Sequence, residues 1–504
     1  MMKSDEGRTV SVWEATDGVR AAGELTGSLE TDVCVIGGGI AGLTTAYLLT
    51  KAGKRVAVID DGAIGGGETA RTTAHLSNAI DDRIYRIEKY HGEEKAKLAV
   101  EAHGRAIDEI ERIASAEAID CDFLRVDGYL IEAEDGEDDL DKEFDAAQRA
   151  GLAIERVERA PIDGFDSGEC LKFPRQGQFH VLKYIKGLAA AIEQGGGKLF
   201  SNTKALEWTG GDAPEVKTGN GFTVRAGQIV LATNYPLMSK MFAKLPAYRT
   251  YVIGVRVPKD SVADALVWNT ADPYVYVRTQ PENDYDVLIV GGEDHRTGQA
   301  EDMDERFENL YQWTKERYKS AGEILYKWSG QYLETHDGLA FIGQFSSGEP
   351  NVYLITGDSG MGMTHGTIGG MLVSDLILGR ENAWAEVFEP TRIATQSLTD
   401  TVSEVAASTA PYVDWLRGGD VSSADEIKNG EGAVISKGTE KIAAYRDENG
   451  QLHQRSAVCA HLGCIVRFNR LEKTWDCPCH GSRYGTDGHV INAPARQPLA
   501  SIDE

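Results

Sequence analysis

The chain has 504 residues, 41% hydrophobic and 26% charged, which is too long for a single growing core and too apolar for wholesale disorder. Acidic residues outnumber basic ones by 79 to 52, so nucleic acid and anionic lipid are not expected partners, because both need clustered Lys and Arg. An acid excess of this kind is equally explained by a saline habitat, where surface charge keeps a chain hydrated.

Only seven cysteines occur, four of them within residues 459–479. That distribution is not a secreted disulfide framework. No segment approaches the roughly 20 apolar residues of a membrane span, and the opening residues lack a signal-peptide run, so a cytoplasmic protein is expected.

Residues 1–30 read as a polar surface arm. Next, 31–36 is a buried-strand pattern, 37–42 a glycine turn, 43–52 an apolar helix and 55–60 a second strand, which together make a βαβ opening. Helical spacing runs through 85–118, then short strands surround an acidic helix at 138–150, and helix returns at 181–194. A buried strand at 227–233 is followed by alternating residues over 248–290, the pattern of half-exposed antiparallel strands. A helix at 303–320, a strand at 352–356, a glycine turn at 357–362 and a helix at 364–378 come next. Residues 396–432 are rich in Ser, Thr, Asp and Gly and read as a linker, and 433–504 read as a small β domain.

Gly37-Gly38-Gly39-Ile40-Ala41-Gly42 satisfies G-x-G-x-x-G between a strand and a helix, with Asp60 ending the next strand 18 residues after Gly42. Gly37 permits the tight turn, Gly39 lets backbone approach a pyrophosphate, Gly42 allows close helix packing, and Asp60 can accept ribose hydroxyls.

Near the other end stand Cys459-Ala460-His461 and Cys477-Pro478-Cys479-His480. A Rieske [2Fe-2S] centre needs two thiolates on one iron and two imidazoles on the other, from C-x-H and C-x-x-H loops, so Cys459, His461, Cys477 and His480 are the expected ligands. A zinc ribbon is the alternative, but C-x-H is awkward for one tetrahedral ion. The two boxes resemble those of Rieske proteins from cytochrome bc complexes, over roughly the last 80 residues. The resemblance implies a Cys464–Cys479 disulfide, with two free thiols as the alternative. It also implies hydroxyl donors at Ser482 and Tyr484 that raise the potential.

A second resemblance covers about 30–395. The glycine box, the run Gly65 to His75, Ala232-Thr233-Asn234, Asp337 to Gly343 and Thr356-Gly357-Asp358-Ser359-Gly360-Met361-Gly362-Met363-Thr364 together resemble the flavin-dependent D-amino acid, glycine and sarcosine oxidase family. FAD is the implied cofactor. Its implied contacts are Gly37, Gly39, Gly42, Asp60, Arg71, Thr72, Thr73, His75, Ala205, Thr233, Gly357, Gly360, Gly362, Met363 and Thr364. His75 falls where some relatives attach flavin covalently, although a histidine that merely packs beside the ring fits the position too.

The expected architecture is an α/β Rossmann-like FAD-binding domain (about 31–115, 176–245 and 335–395) with an interleaved α+β substrate domain (116–175 and 246–334). A small all-β Rieske domain follows at 433–504. Together they imply a dehydrogenase of an amine, amino acid or related small molecule that passes electrons from flavin through the cluster to an external acceptor. Reversed flow from an external donor, and a non-enzymatic carrier or redox sensor, are the alternatives. Substrate-side candidates are Tyr251, Tyr274, Tyr276, Arg278 and His336.

Overall fold

A computed structural model describes residues 7–133, 136, 139–235, 245–345, 349–392 and 410–502. Val33–Ile36 is buried at every position and lies between Val56–Ile59 and Gln228–Asn234, both parallel to it. A continuous apolar run, rather than an alternating one, is what a strand covered on both faces requires. The six-stranded sheet runs Phe341–Gln344, Val352–Thr356, Gln228–Asn234, Val33–Ile36, Val56–Ile59, Lys198–Phe200, and only the first strand is antiparallel to its neighbour.

Helix Ile40–Lys51 starts directly at the glycine box, with Gly39 as its N-cap. Gly37 has φ +112°, and a Cβ on Gly42 would collide with the Gly37 carbonyl. The chain therefore enters the helix inside the box, earlier than the apolar pattern suggests. The helical stretch at 85–118 is two helices, Ile84–His91 and Glu93–Ala116, separated by Gly92 at φ +83°.

Nine strands form the second large sheet. Its strands Ala247–Pro258, Tyr276–Pro281 and Tyr285–Arg296 are mostly buried on both faces, not half-exposed as their alternation suggests. Tyr251, Ile253 and Val255 pack in one core with Phe307 and Leu310 of helix Met303–Arg317. Val252 and Ile289 belong to the main core on the opposite face. A period of two decides which side chain meets which layer.

Residues 11–18 are not part of a surface arm. A capping box of Ser11 and Glu14 starts the short helix Val12–Thr16. Trp13 is fully buried and donates from Nε1 to the Thr72 carbonyl at 2.6 Å, and Leu29–Glu30 pairs with Thr223–Arg225. The expected linker falls partly on residues outside those described. From 410 onward it packs on the β domain instead: Tyr412 donates to the Leu462 carbonyl at 2.7 Å, Trp415 to that of Gly463 at 2.9 Å, and Val421 bridges to Ile435.

The C-terminal domain holds a three-stranded sheet, Glu431–Lys437 to Leu452–Ser456, and a four-stranded one, Arg467–Asn469 to Val490–Asn492. It docks on the larger α/β module around a buried carboxylate. Glu472 accepts from Thr9 N at 3.0 Å, Thr9 Oγ1 at 2.6 Å and Ser329 Oγ. Arg71 Nη1 lies 3.3 Å and Arg249 Nη1 3.6 Å from Glu472 Oε1. Burial by itself would raise the Glu472 carboxyl, but Arg71, Arg249 and Arg483 outweigh it and hold the group at about 2. Among the described residues no helix is long and apolar enough to cross a membrane.

Candidate functional site

A cavity of about 700 Å³ opens where the two large sheets meet, a size suited to a large cofactor and a small ligand. One wall is the first glycine box. Gly37, Gly39, Ile40 and Ala41 line it, followed by Asp60, Thr203, Lys204, Ala205 and Thr233. Asp60 is pinned by Gly38 N at 2.6 Å and Gly62 N at 2.8 Å, one on each carboxylate oxygen. A Cβ on Gly39 would come within 2.9 Å of Thr69 Oγ1, so bare backbone faces the cavity there.

A second wall is the start of helix Gly362–Ile377, where Gly360, Met361, Gly362, Met363 and Thr364 line the space. Two helix N-termini thus point amide N–H groups at one cavity, the arrangement that a pyrophosphate and a reduced flavin ring both call for. These are observations that fit FAD.

The remaining wall is the nine-stranded sheet. Thr250, Tyr276, Tyr332 and Asp294 line it, with Tyr274 and Asp81 beside them. Opposite Thr250 the strand Tyr285–Arg296 carries a bulge: Arg249 pairs with His295, yet Tyr251 pairs with Gly292, so Glu293 and Asp294 together face one residue. Gly292 at φ +147° and Glu293 at φ +59° make that detour, which re-aims Asp294 inward. Tyr332 donates to Asp294 at 2.9 Å, Tyr274 to Asp81 at 2.9 Å, and Tyr276 shares a 2.8 Å hydrogen bond with Thr250. Burial raises the Asp294 carboxyl to about 7, because its charged form is poorly solvated there.

The cluster boxes fold as two matching loops. Cys459 N donates to the Cys464 carbonyl at 2.8 Å and Gly463 N to that of Cys459 at 3.0 Å. Cys477 N donates to the Ser482 carbonyl at 2.8 Å and Gly481 N to that of Cys477 at 3.0 Å. Gly463 and Gly481 both adopt positive φ, +80° and +74°, a conformation that favours glycine. The loops bring the His461 and His480 rings to 4.9 Å between centroids. Burial lowers both imidazoles, His461 to about 4, which keeps them in the neutral, ligating form. Cys464 and Cys479 are joined as a disulfide with Cα atoms 6.5 Å apart.

The Cys464, Cys477 and Cys479 sulfurs lie within 4.8 Å of one another, but two of them are spent in the disulfide, so that group is no separate metal site. Two free thiols, Cys459 and Cys477, and two imidazoles are the donor set a Rieske cluster requires. Tyr484 OH stands 3.1 Å from Cys459 Sγ.

Residues 32–376 match the family described as FAD dependent oxidoreductase, and 419–503 match the Rieske [2Fe-2S] domain. The chain belongs to the FAD dependent oxidoreductase family. It is 34% identical over 500 residues to YhfW of Bacillus subtilis (strain 168), a protein named for a Rieske 2Fe-2S centre, with 97% of each chain covered. It is 26% identical to the gamma-glutamylputrescine oxidoreductase of Escherichia coli (strain K12), covering 70% of this chain and 85% of that one. Glycine oxidase from Geobacillus kaustophilus shares the fold, with a TM-score of 0.61, 20% identity, and coverage of 73% of this chain and all of that one. The cofactors of this oxidoreductase are FAD and a Rieske [2Fe-2S] cluster.

Several expected residues stand elsewhere in the oxidoreductase. Tyr251 lies on the far face of its strand, bonded to His295 Nε2 at 2.9 Å, since it is one residue out of phase with Thr250. Arg278 is buried with Nη1 donating to the carbonyls of Ala74 at 2.9 Å and Phe179 at 3.0 Å, so it braces the loop around His75 and does not reach the cavity. His336 does not line the cavity, nor do Gly357 and Gly42. Gly42 serves the helix packing expected of it.

Arg71 reaches the wall, but its guanidinium is tied to Glu472 and the Ser329 carbonyl. His75 lines the cavity with both ring nitrogens engaged, Nδ1 3.0 Å from Thr73 Oγ1 and Nε2 3.2 Å from the Val277 carbonyl. Tyr274, Tyr276, Thr72 and Thr73 line the cavity. Asp81, Asp294, Thr250 and Tyr332 went unread. The Gly291-Gly292 pair was the one signal of the bulge that presents Asp294.

Proposed function

We propose that this oxidoreductase dehydrogenates a cationic amine and passes the electrons, one at a time, through its Rieske domain to an external one-electron acceptor. The reading rests on one observation: the substrate side of the cavity carries two carboxyl groups, Asp81 and Asp294, among three tyrosines, while neither of the two arginines that line the cavity lies on the nine-stranded sheet. Arg71 is tied to Glu472 and Arg496 lies over Trp208. An amino-acid carboxylate would find no free guanidinium there, whereas an ammonium finds two acceptors.

Bound FAD takes a hydride from carbon and releases electrons singly. For its part the chain holds the ammonium between Asp81 and Asp294 and screens it from water with Tyr274, Tyr276 and Tyr332. Asp294, poised at about 7, removes the proton that must leave nitrogen before the carbon gives up its hydride. The products are an iminium ion, that proton on Asp294, and a hydride's two electrons bound for the acceptor, with the hydride's proton released to solvent. The contacts to FAD are assigned to the cavity-lining members of the expected set, and the cluster ligands to Cys459, His461, Cys477 and His480.

Gln331 supports a path between the cavity and the cluster loops. It lines the cavity and donates from Nε2 to the Gly481 carbonyl at 3.0 Å, one residue from His480. On the outer side Leu462 is 57% exposed beside His461, consistent with an external partner. The cytoplasmic placement stays part of this proposal and is supported by Cys34, Cys121 and Cys170, which remain buried thiols.

Anaerobic mixing with a panel of diamines, monoamines and amino acids tests the reading. A diamine or monoamine should bleach the flavin and then reduce the cluster, with a kinetic pKa near 7 that Asp294→Asn abolishes. Bleaching by amino acids alone, or inertness toward every amine while a protein donor reduces the cluster, would overturn it.

A further inference from the structure

The cavity wall is not built by the flavin module alone. His489, Val490, Ile491, Asn492, Ala493, Arg496 and Pro498, all from the Rieske domain, also line it. Ala493 packs with Ala205 against the core that contains Ile36 and Ile59, the strand ends on either side of the glycine box, which is where the nucleotide half of a dinucleotide belongs. Arg496 lies over the Trp208 ring at 5.1 Å, and Trp208 is on the strand Ala205–Thr209 that begins at the cavity edge. In a chain with 79 acidic and 52 basic residues, no carboxylate among the described residues pairs with Arg496. A cation that lines the cavity, left without a counter-charge among the described residues of an acid-rich chain, is matched by an anionic ligand.

The segment is also held stiffly to the cluster loops. Ala495 N donates to Ser482 Oγ at 3.0 Å, and Arg483 Nη1 to Asn492 Oδ1 at 2.9 Å. Ala493 and Trp208 both pack against the core that contains Ile36 and Ile59. Whatever docks or undocks the Rieske domain therefore closes or opens this side of the cavity.

We infer that residues 489–498 of the Rieske domain form part of the FAD site, with Arg496 gripping the adenosine-phosphate half, so that the cluster domain locks the flavin in place. This stands apart from the amine reading, since it concerns how the cofactor is retained and not what it oxidises.

The test is flavin retention in the full-length holoprotein, read by the fluorescence of flavin released on dilution. Arg496 is exposed, so Arg496→Ala leaves the fold intact, and an unchanged cluster EPR signal verifies that. Loss of one charge-assisted contact should weaken FAD about tenfold or more, and Arg496→Lys should recover much of it. Refilled with FMN, which lacks the adenosine phosphate, the Arg496→Ala protein should match the wild type. FAD retention within twofold of wild type would overturn the inference, as would equal weakening of FAD and FMN.

Discussion

Replacing Glu472 by glutamine removes one charge from the joint between the two modules while keeping its shape. The carboxylate is fully enclosed, at 0% side-chain exposure against 1% for Arg71, and it is the acceptor that Arg71 and Arg249 share. Its carboxyl is held at about 2 against an ordinary 4.5, which corresponds to ~3 kcal/mol of preference for the charged form. That agrees with the roughly 3–5 kcal/mol lost when one partner of a buried ion pair is removed.

Because the folded value lies below the unfolded one, this stabilisation is complete above about pH 4.5 and fades as pH falls toward 2. Urea unfolding followed by flavin fluorescence and by cluster absorbance together reads the effect. Wild type should unfold in one coincident transition, whereas Glu472→Gln should unfold at lower urea with the two signals separated. The mutational difference should shrink as pH falls from 4.5 toward 2. If Glu472→Gln unfolds within ~0.5 kcal/mol of wild type with coincident signals, the network does not hold the domains together.

Tyr484→Phe deletes the hydroxyl 3.1 Å from Cys459 Sγ, a bond that favours the more negative, reduced cluster. Its loss should lower the midpoint by roughly 40–60 mV, equivalent to about 1–1.5 kcal/mol, and an unchanged or raised potential in an EPR-monitored titration would contradict this. Trp13→Ala opens a fully buried site against His180, 4.9 Å away, and should cost about 3–5 kcal/mol in denaturant titration. A surface arm would show almost no loss. Acid precipitation of the holoprotein should leave all flavin in the supernatant, because both His75 nitrogens are committed to Thr73 and Val277; flavin that remains on the washed pellet would refute that.

The chain's sequence by itself determined what depends on short covalent spacing. The boxes Cys459–His461 and Cys477–His480 and the strand–glycine–helix turn at Gly37 to Gly42 are local or nearly so, whereas the Cys464–Cys479 disulfide was implied only by resemblance and is seen in the structure. The chemistry of a cluster or a pyrophosphate dictates those residues at those intervals. The tertiary structure decided everything assembled from distant strands. Whether Thr250 or Tyr251 faces the cavity follows from the phase of one strand and the bulge in its neighbour, and Arg278 is drawn to backbone carbonyls by packing that no spacing reveals. That Arg71 serves the domain joint, and that residues from 489 to 498 line the cavity between the sheets, depends on how the Rieske domain packs on the rest of the chain. Long-range docking leaves no periodic trace in a chain, because its contacts are chosen by surface shape and charge and not by sequence separation.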